Sequence, residues 1–330
     1  MKNPSTLILT QSDVQKLSQM KRAIYAVKEA FREYALGKTQ MPAKIYLQLE
    51  KYKGDFRAMP AYLEGLKSCA LKWVNVHALN KSKGLPTVMA LIVLSDPRNG
   101  LPLCIMDGTH ITGLRTGAAG AVAAKYLANK NSHVVGLVGC GVQAMTQLEG
   151  LLAFFSIREV RLWGPVRSEA IQFKKRLRGK IKNVIVTSSV KECIHSCDII
   201  VTTTPSRRPL VYLSWLKKGV HINAIGADAP GKQELDPHIL RKAMVVIDDW
   251  EQASHSGEIN VPLGKRQIGK KDIYGTLGDI IIGKKKGRRR AQDITVFDST
   301  GLAIQDVAVA YDIYKRALKK GVGKKICFIV

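Results

Sequence analysis

One stretch near the middle of the chain constrains the fold more than any other. Val134–Val138 is a short apolar run of the kind that forms a buried parallel strand. It leads directly into Gly139–Ala144, a Gly-x-Gly-x-x-Ala turn, and apolar residues at helical spacing follow from Met145 to Phe155. In such a unit the first glycine makes the turn, the second admits a pyrophosphate, and the third small residue packs helix on strand. The stretch therefore predicts a dinucleotide site at the N-terminus of a helix.

Strand and helix patterns alternate in the rest of this part of the chain. Apolar runs predict strands at residues 134–138, 159–163, 184–187, 198–203, 220–225, 244–248 and 294–298. Helical patterns occupy much of the sequence between them. Together with the glycine turn, this alternation predicts an α/β fold of the Rossmann type, built on a doubly wound parallel sheet.

The N-terminal part has a different pattern. A helix is expected at 12–36, with Ser12 and Asp13 as candidate caps and Gly37 at its end. Short runs separated by turn residues then predict a mostly antiparallel group of strands at 44–49, 56–59, 69–76, 87–95 and 103–106.

Two further helices define the predicted domain boundaries. An Ala-rich helix is expected at 117–127, and a last helix at about 301–320 follows the last sheet strand and returns to the first domain. The sequence thus predicts a smaller, discontinuous α+β domain, residues 1–116 with 302–330, and a Rossmann domain at residues 117–301.

The chain is strongly basic, with 52 Lys and Arg against 26 Asp and Glu, a formal net charge of +26. Basic clusters at 174–178, 284–290 and 315–325 are compatible with nucleic-acid binding, but few aromatic side chains lie among them to stack bases. We therefore interpret the charge as a solvated surface that attracts anionic cofactors and substrates, and we do not expect nucleic acid as a partner.

Composition also bears on location and metals. The longest apolar run, Val88–Leu94, is far shorter than the roughly 20 residues of a membrane helix, and no signal-peptide core is present. The six cysteines lack the spacing of a zinc site or a redox pair. Cys193 and Cys197 fit buried apolar positions in a reducing compartment. We expect a cytoplasmic protein without membrane contact or a metal site.

Several short segments carry a resemblance to a known family. They are Met59-Pro60, Leu71–Asn75, Ile111–Ala119, Gly139–Ala144, Thr202–Pro205, Gly226–Asp228 and Asp298–Ala303. Their order and spacing make the chain resemble the ornithine cyclodeaminase/μ-crystallin family over nearly its whole length. Within that family, the Thr-Thr-Pro-Ser-Arg-Arg-Pro segment at 203–209 is most similar to the archaeal alanine dehydrogenases.

The resemblance implies an architecture and an activity. Family members join a Rossmann domain to a smaller substrate-binding domain that forms a homodimer. The activity implied is NAD(P)-dependent oxidative deamination of L-alanine to pyruvate and ammonia through an imine. Three alternatives stay open: a lyase of the ornithine cyclodeaminase type, a cyclic imine or ketimine (pyrroline-2-carboxylate) reductase, and a non-catalytic crystallin-like NAD(P)H-binding protein.

Such chemistry needs a cation for the carboxylate and an acid/base group near the amine. Arg115 is expected at the N-terminus of the 117–127 helix, where guanidinium and helix end would act together on a carboxylate. Lys72 lies in an otherwise apolar strand, so it either reaches outward or is buried with a lowered pKa. The resemblance makes Arg115 the carboxylate ligand and Lys72 an active-site residue. It makes Asp228, which follows a sheet strand, the general base.

Two further cations, Lys44 and Arg57, match other substrate positions of the family. Arg57 is also a departure, since ornithine cyclodeaminases have a glutamate at this distance before the Met-Pro pair. A cation there would repel the side-chain amine of ornithine. The substitution favours a small, uncharged substrate side chain.

The expected cofactor residues include a second departure. A carboxylate that binds the ribose 2′-hydroxyl should end the second strand, yet Trp163 is followed by Gly-Pro-Val and Arg167. Arg167, or Arg207 and Arg208, would suit a 2′-phosphate, so NAD and NADP both stay open with a lean towards NADP. The expected cofactor-binding residues are Thr116, Gly139, Gly141, Val142, Gln143, Ala144, Arg167, Thr203, Thr204, Ser299, Thr300 and Gly301.

Overall fold

The computed structural model describes residues 4–328. The chain divides into two compact units, Met1–Arg115 with Leu302–Val330 and Thr116–Gly301. Each unit is built around its own large sheet.

The strands of the described chain are β1 (Thr6–Leu9), β2 (Thr39–Gln40), β3 (Ile45–Leu49), β4 (Gly54–Leu63), β5 (Ser68–His77), β6 (Val88–Ser95), β7 (Pro102–Asp107), β8 (Val134–Val138), β9 (Glu159–Trp163), β10 (Asn183–Val186), β11 (Ile199–Thr202), β12 (Arg207–Val211), β13 (His221–Ala224), β14 (Gln233–Leu235), β15 (Met244–Ile247), β16 (Ile273–Thr276), β17 (Thr295–Asp298) and β18 (Lys324–Ile326).

The α-helices of the same residues are α1 (Gln11–Leu17), α2 (Met20–Ala35), α3 (Thr109–Leu127), α4 (Val142–Leu151), α5 (Arg167–Arg176), α6 (Val190–Ile194), α7 (Pro237–Lys242), α8 (Trp250–Ser256), α9 (Asn260–Gly264), α10 (Leu277–Ile281) and α11 (Ala303–Lys320).

The sheet of the first unit runs in the order β18-β1-β7-β6-β5-β4-β2, and β3 also pairs with β4. Its pairs are antiparallel, except that β1 and β7 run parallel. Helix α11 packs against α2 and against β4, β5 and β6. Alternation along the strands places Met59, Lys72 and Ile92 in one buried cross-strand row, whereas the neighbouring residues Trp73 and Leu91 are exposed.

The exposed residues form an apolar face on this sheet. Ile45, Ala58, Trp73 and Leu91 are direct cross-strand partners on β3 to β6, and the ring of Phe56 stacks on that of Trp73 with centroids 5.1 Å apart. Ile45, Trp73 and Leu91 are 65%, 42% and 55% exposed. A contiguous apolar surface of this kind on a monomer is typical of a protein–protein interface.

The sheet of the second unit is wholly parallel, in the order β10-β9-β8-β11-β13-β17-β15-β16. The strand order reverses between β8 and β11, the switch point at which open α/β sheets bind ligands. The predicted Rossmann-type fold is confirmed, and β16 at the sheet edge and the short pair β12–β14 add to the expected strands.

Two helix predictions are wrong in detail. The region 12–36 holds two helices, because Ser18 and Gln19 adopt extended backbone angles between α1 and α2. Buried residues keep their helical spacing on both sides of the break, so the sequence pattern predicted a single helix. The cap of α1 is Thr10, and Asp13 completes its capping box from the third helical position.

The helix expected at 117–127 begins eight residues earlier, at Thr109. The Asp107 carboxylate accepts hydrogen bonds from the backbone N–H groups of Thr109 and His110, at 3.2 and 2.9 Å, and so starts the helix. The first turns contain threonine, isoleucine and glycine, which are weak helix formers, but Ile111 and Leu114 are buried and packing outweighs propensity.

None of the helices within residues 4–328 has both the length and the apolar character that a membrane span requires. Cys193 and Cys197 are free thiols with no exposed surface, and burial raises the pKa of both, as expected for inert apolar positions.

Candidate active site

The most unusual feature of the first unit is a buried ion cluster centred on Asp306. Helix α11 places Asp306 in its first turn, against the buried face of β5. Its carboxylate lies 2.7 Å from Nζ of Lys72 and 3.2 Å from Nε of Arg115. Gln305 accepts a further hydrogen bond from Nη1 of Arg115 at 3.1 Å. One carboxylate therefore holds two cations out of water.

The sequence left open whether Lys72 reaches outward or is buried, and the structure shows that it is buried. Only 1% of its surface is exposed. Burial lowers the pKa of Lys72 to about 7, since Asp306 only partly offsets the loss of hydration, and the positive charges of Arg115 and Lys44 lower it further. An amine with this pKa exchanges a proton readily near neutral pH.

Arg115 lies in the second turn of α3, not at a helix N-terminus as predicted. Because α3 begins at Thr109, the N-terminal end of the helix is a full turn and a half away, and the helix-end field acts mainly within the first turn. Its orientation comes instead from Asp306 and Gln305. These two partners were not predicted, because they lie about 190 residues further along the chain.

The other two predicted cations, Lys44 and Arg57, lie in the same unit. Lys44 is close enough to influence the pKa of Lys72. Arg57 is buried on β4, where Nε lies 2.8 Å from the Asp55 carboxylate and the guanidinium lies 5.2 Å from the ring centroid of Tyr46. Lys44 thus adds positive charge near the Asp306 cluster, which suits an anionic ligand, whereas the guanidinium of Arg57 is paired with Asp55.

In the second unit, the Gly139 turn has the shape that a dinucleotide requires. Gly139 adopts φ +110°, and a Cβ atom there would lie 2.5 Å from Oγ1 of Thr203. Only glycine therefore fits between β8 and the end of β11. The turn brings two of the predicted cofactor residues, Gly139 and Thr203, into contact at the switch point of the sheet.

Helix α4 begins immediately after this turn. Its N-cap is Gly141, and no side chain of residues 4–328 caps it, so the first N–H groups, from Val142 to Ala144, are left for a ligand. A Cβ at Gly141 would meet nothing within 4 Å, so space for a ligand is open there, whereas Ala144 is fully buried against the sheet. These residues fit a pyrophosphate.

A cavity of about 340 Å³ lies at the carboxyl end of β9, where the adenosine ribose of a dinucleotide would be expected. Its lining includes Trp163, Gly164, Arg167 and Ser188 and contains no carboxylate. Arg207 and Arg208, the other cations considered for a 2′-phosphate, lie on β12 and do not line it.

Asp228 lies four residues beyond the end of β13, at the carboxyl edge of the sheet. Its carboxylate is 2.5 Å from Nζ of Lys232, and its side chain is 33% exposed. A carboxylate that is partly open to solvent can reach a water molecule or a substrate proton. Lys232 was not anticipated, although its spacing of four residues is a common one for ion pairs.

The remaining predicted cofactor residues are held by buried partners. The Asp248 carboxylate accepts hydrogen bonds from the backbone N–H groups of Thr300 and Gly301, at 2.6 and 2.9 Å, which fixes the loop that follows β17. The carbonyl oxygen of Thr116 accepts one from Gln147 at 2.8 Å. Neither Asp248 nor Gln147 was identified from the sequence.

Within the part of the chain that the structure describes, no group of three or more His, Cys, Asp or Glu side chains is placed to hold a metal ion.

Comparison with known proteins identifies the family of the chain. Residues 4–321 match the model of the ornithine cyclodeaminase/mu-crystallin family. The chain belongs to this family. A relative within it, the alanine dehydrogenase of Archaeoglobus fulgidus, is 56% identical over 325 residues, which cover 98% of each chain.

Two solved structures of family members are similar throughout. An archaeal alanine dehydrogenase dimer with bound NAD has a TM-score of 0.95 and 54% identity, and the match covers 99% of this chain and 100% of the other. A Δ1-pyrroline-2-carboxylate reductase of Thermococcus litoralis, in complex with NADH and L-proline, also has a TM-score of 0.95, with 38% identity over 97% of this chain and 100% of the other.

Proposed function

We propose that this chain is an NAD(P)-dependent dehydrogenase that oxidises L-alanine to pyruvate and ammonia, and that it also catalyses the reverse reductive amination. The observation that carries the proposal is the pair of Lys72 and Arg115 on the single buried carboxylate of Asp306. It supplies an amine with a pKa of about 7 beside a fixed guanidinium, in a chain that also holds a dinucleotide turn.

In this proposal the first unit holds the amino acid. Arg115 binds the substrate carboxylate, since a guanidinium fork matches both oxygens, and Lys44 and Arg57 add positive charge. Asp306 and Gln305 keep the guanidinium in place before substrate arrives, so little ordering remains to be done on binding.

Lys72 and Asp228 divide the proton transfers. Neutral Lys72 takes a proton from the substrate ammonium group, which frees the nitrogen lone pair. As the C–N double bond of the imine forms, the α-carbon loses hydrogen with its electron pair, and a bound nicotinamide cofactor supplies the acceptor for that hydride. Asp228 then takes a proton from water, which adds to the imine carbon, and collapse of the adduct releases ammonia and leaves pyruvate.

The second unit binds the cofactor through Gly139, Gly141 and the first turn of α4, with Thr203, Thr204 and Ser299–Gly301 on neighbouring strand ends. We propose a preference for NADP. The cavity at the end of β9 presents Arg167 and Ser188 where an NAD site would place a carboxylate. The two similar structures above contain NAD or NADH, so this preference would separate the chain from those relatives.

Reduction of a cyclic imine is the second candidate, because a pyrroline-2-carboxylate reductase has the same fold over its full length. The same cations would bind its carboxylate, and Lys72 would donate the proton to the imine nitrogen. Ornithine is disfavoured, since Arg57 stands where the ornithine cyclodeaminases have a glutamate.

We also propose that the protein is a homodimer that buries the apolar face of β3 to β6. The face is continuous across four strands and contains an exposed, stacked tryptophan. Tryptophan is enriched in interfaces that bind tightly. The similar archaeal alanine dehydrogenase is a dimer.

The proposal is tested by absorbance at 340 nm with purified protein, supplying L-alanine, L-proline or L-ornithine with NAD or NADP. We expect absorbance to rise with alanine, faster with NADP, with pyruvate formed in equal amount. A rise with proline alone, or pyrroline-2-carboxylate reduction without alanine turnover, would establish the second candidate. Conversion of ornithine to proline without net absorbance change would establish the lyase.

A further inference from the structure

Glu234 on β14 is a fully buried carboxylate to which the chemistry above assigns no role. It accepts four hydrogen bonds from the ends of two neighbouring sheet strands. Oε1 accepts from the backbone N–H and the hydroxyl of Thr204, at 2.6 and 2.7 Å. Oε2 accepts from the hydroxyl of Thr202 at 2.7 Å and from the backbone N–H of Gly226 at 2.9 Å. One side chain therefore ties the loop after β11 to the loop after β13.

The two loops approach too closely at this point for any residue larger than glycine at position 226. A Cβ atom on Gly226 would lie 2.2 Å from the carbonyl oxygen of Thr204 and 2.6 Å from Oε2 of Glu234. Gly226 is two residues before Asp228, and the N–H of Asp228 bonds back to the carbonyl of Gly226 at 3.1 Å. The position of the Asp228 backbone thus follows from the contact between Gly226 and Glu234.

Glu234 is itself held by two further buried carboxylates. Glu258 accepts hydrogen bonds from the backbone N–H groups of Glu234 and Leu235, at 2.9 and 2.6 Å. Asp298, at the end of β17, accepts from the backbone N–H of Glu258 at 2.9 Å. Asp298 thus positions the backbone of Glu258, Glu258 positions the backbone of Glu234, and Glu234 acts on the ends of β11 and β13.

We propose that Glu234 is a positioning residue that fixes the cofactor-binding loop at Thr203–Thr204 and the Asp228 loop relative to each other. This inference rests on the proposed roles of those two loops. Glu234 does not touch substrate, because both of its oxygens are fully occupied within the protein. Its effect is on geometry: it determines where the general base lies with respect to the bound cofactor.

A carboxylate is required for this role, since each of its oxygens receives one backbone N–H. An amide presents one oxygen and one NH2 group, so Glu234→Gln leaves the N–H of either Thr204 or Gly226 facing a donor in both orientations. A threonine hydroxyl can turn and accept instead, but a backbone N–H cannot. The substitution should therefore loosen one loop while it preserves side-chain volume.

Asp198→Asn provides a control for a general loss of stability. Asp198 is also a carboxylate that accepts two backbone N–H groups, those of His133 and Val134, at 2.7 and 2.9 Å. Both bond to Oδ2, which Asn can replace with its amide oxygen, while the variant loses the ion pair of Oδ1 with Lys217. It lies at the opposite, amino end of β11, away from the cofactor loops. A general loss of stability would affect both variants, whereas loss of loop position should affect Glu234→Gln alone.

The experiment measures three properties of the wild type and both variants. Hydrogen exchange reports on peptides that contain Thr204 and Gly226, fluorescence transfer from tryptophan reports the Kd of NAD(P)H, and initial rates report kcat and KM. For Glu234→Gln we expect at least tenfold faster exchange in those peptides, about tenfold weaker cofactor binding, and a kcat about ten- to a hundredfold lower. The KM for alanine should change less than about threefold, because the Arg115 cluster in the other unit is untouched.

The outcomes separate the inference from the proposed function. If Glu234→Gln and Asp198→Asn differ from the wild type by the same factors in exchange rate, Kd and kcat, Glu234 is merely structural and the inference is overturned. If the wild type is inactive on every substrate while Glu234→Gln still loosens the loops and weakens cofactor binding, the positioning role stands and the proposed function fails. Should Glu234→Gln not fold, Glu234→Asp replaces it in the experiment. Aspartate keeps the charge, but its shorter side chain cannot span both loops. A wild-type exchange pattern and kcat in Glu234→Asp would equally overturn the inference.

Discussion

Lys72 links the packing of a single residue to the proposed chemistry. It sits on the buried face of β5 opposite Met59, and α11 covers it with the carboxylate of Asp306. Burial lowers its pKa to about 7, whereas the attraction of Asp306 raises it. The two effects together place the titration of this amine in the physiological range.

The first prediction concerns the pH dependence of alanine oxidation. The neutral amine accepts the proton, and its fraction grows as pH rises through about 7, so kcat/KM should rise through that pH and then level off. Lys72→Arg keeps the charge but cannot deprotonate, and we expect the rate to fall by about 10²- to 10⁴-fold. Surface Lys38→Arg is the control.

Loss of the carboxylate in Asp306→Asn should move the inflection to lower pH. A profile unchanged in both site variants would contradict the assignment.

The second residue-scale prediction concerns the cofactor. Arg167→Ala should weaken NADPH binding by about 10- to 100-fold, as expected for loss of a charge-assisted hydrogen bond to phosphate, and leave NADH binding within about threefold. Gly164→Asp should reverse the preference, since a Cβ there meets only Cys140 at 3.4 Å and the carboxylate can reach a ribose hydroxyl. Equal losses for both cofactors in Arg167→Ala would show that no 2′-phosphate is read at this position.

At the scale of elements, strand β13 carries a buried polar network behind the cofactor site. His221 has no exposed surface, and its ring contacts the side-chain oxygens of Thr295 and Asn223, each at 2.9 Å. Asn223 in turn donates to the carbonyl of Gly120 and to Gln147. Burial, with a smaller contribution from Arg288, lowers the pKa of His221 to about 3.

This network predicts how the second unit responds to acid. Below the unfolded pKa of 6.5, the unfolded chain protonates His221 and the folded chain does not, so this contribution to stability falls as pH decreases towards 3. The loss is at most about 1.4 kcal/mol per pH unit. Urea unfolding at pH 7 and pH 5 should show the wild type losing more stability than His221→Gln. Equal pH dependence in the two proteins would mean that His221 is protonated in the folded state.

Elements also show what the sequence could predict. The strands of the parallel sheet and the Gly139 turn followed from local patterns, because each buried strand is a short apolar run and each turn has its own residue chemistry. Lys72 was conspicuous as a charge within such a run. The helix predicted from the sequence was shorter than α3, because the glycines and threonines of the first turns are weak helix formers. That segment is helical because it is buried.

The partners of the candidate site could not be predicted in the same way. Asp306 lies 191 residues beyond Arg115, and Glu234 lies 30 residues beyond Thr204, on another strand. Nothing local distinguishes them from solvated acids, and only the fold shows that they are buried. The roles of Lys72, Arg115 and Asp228 stay predictions from the family resemblance and the geometry.

At the scale of the whole molecule, the apolar face of β3 to β6 predicts the state of assembly. Trp73→Glu combined with Leu91→Glu puts two charges into the centre of that face, and we expect a dimer to become a monomer in light scattering coupled to size exclusion. Tyr25→Glu, an equally drastic change at a 68% exposed position on α2, is the control and should stay dimeric. A double variant that remains dimeric would place the interface elsewhere.

In the proposed reaction, hydride leaves the α-carbon of an amino acid and is released on the cofactor. The claim can be tested by incubating the enzyme with L-alanine deuterated at the α-carbon and oxidised NAD(P), followed by mass spectrometry of both products. We expect one deuterium in the reduced cofactor, in equal amount to the pyruvate formed. Reduced cofactor without deuterium, or no reduced cofactor under conditions in which the protein binds it, would contradict the claim.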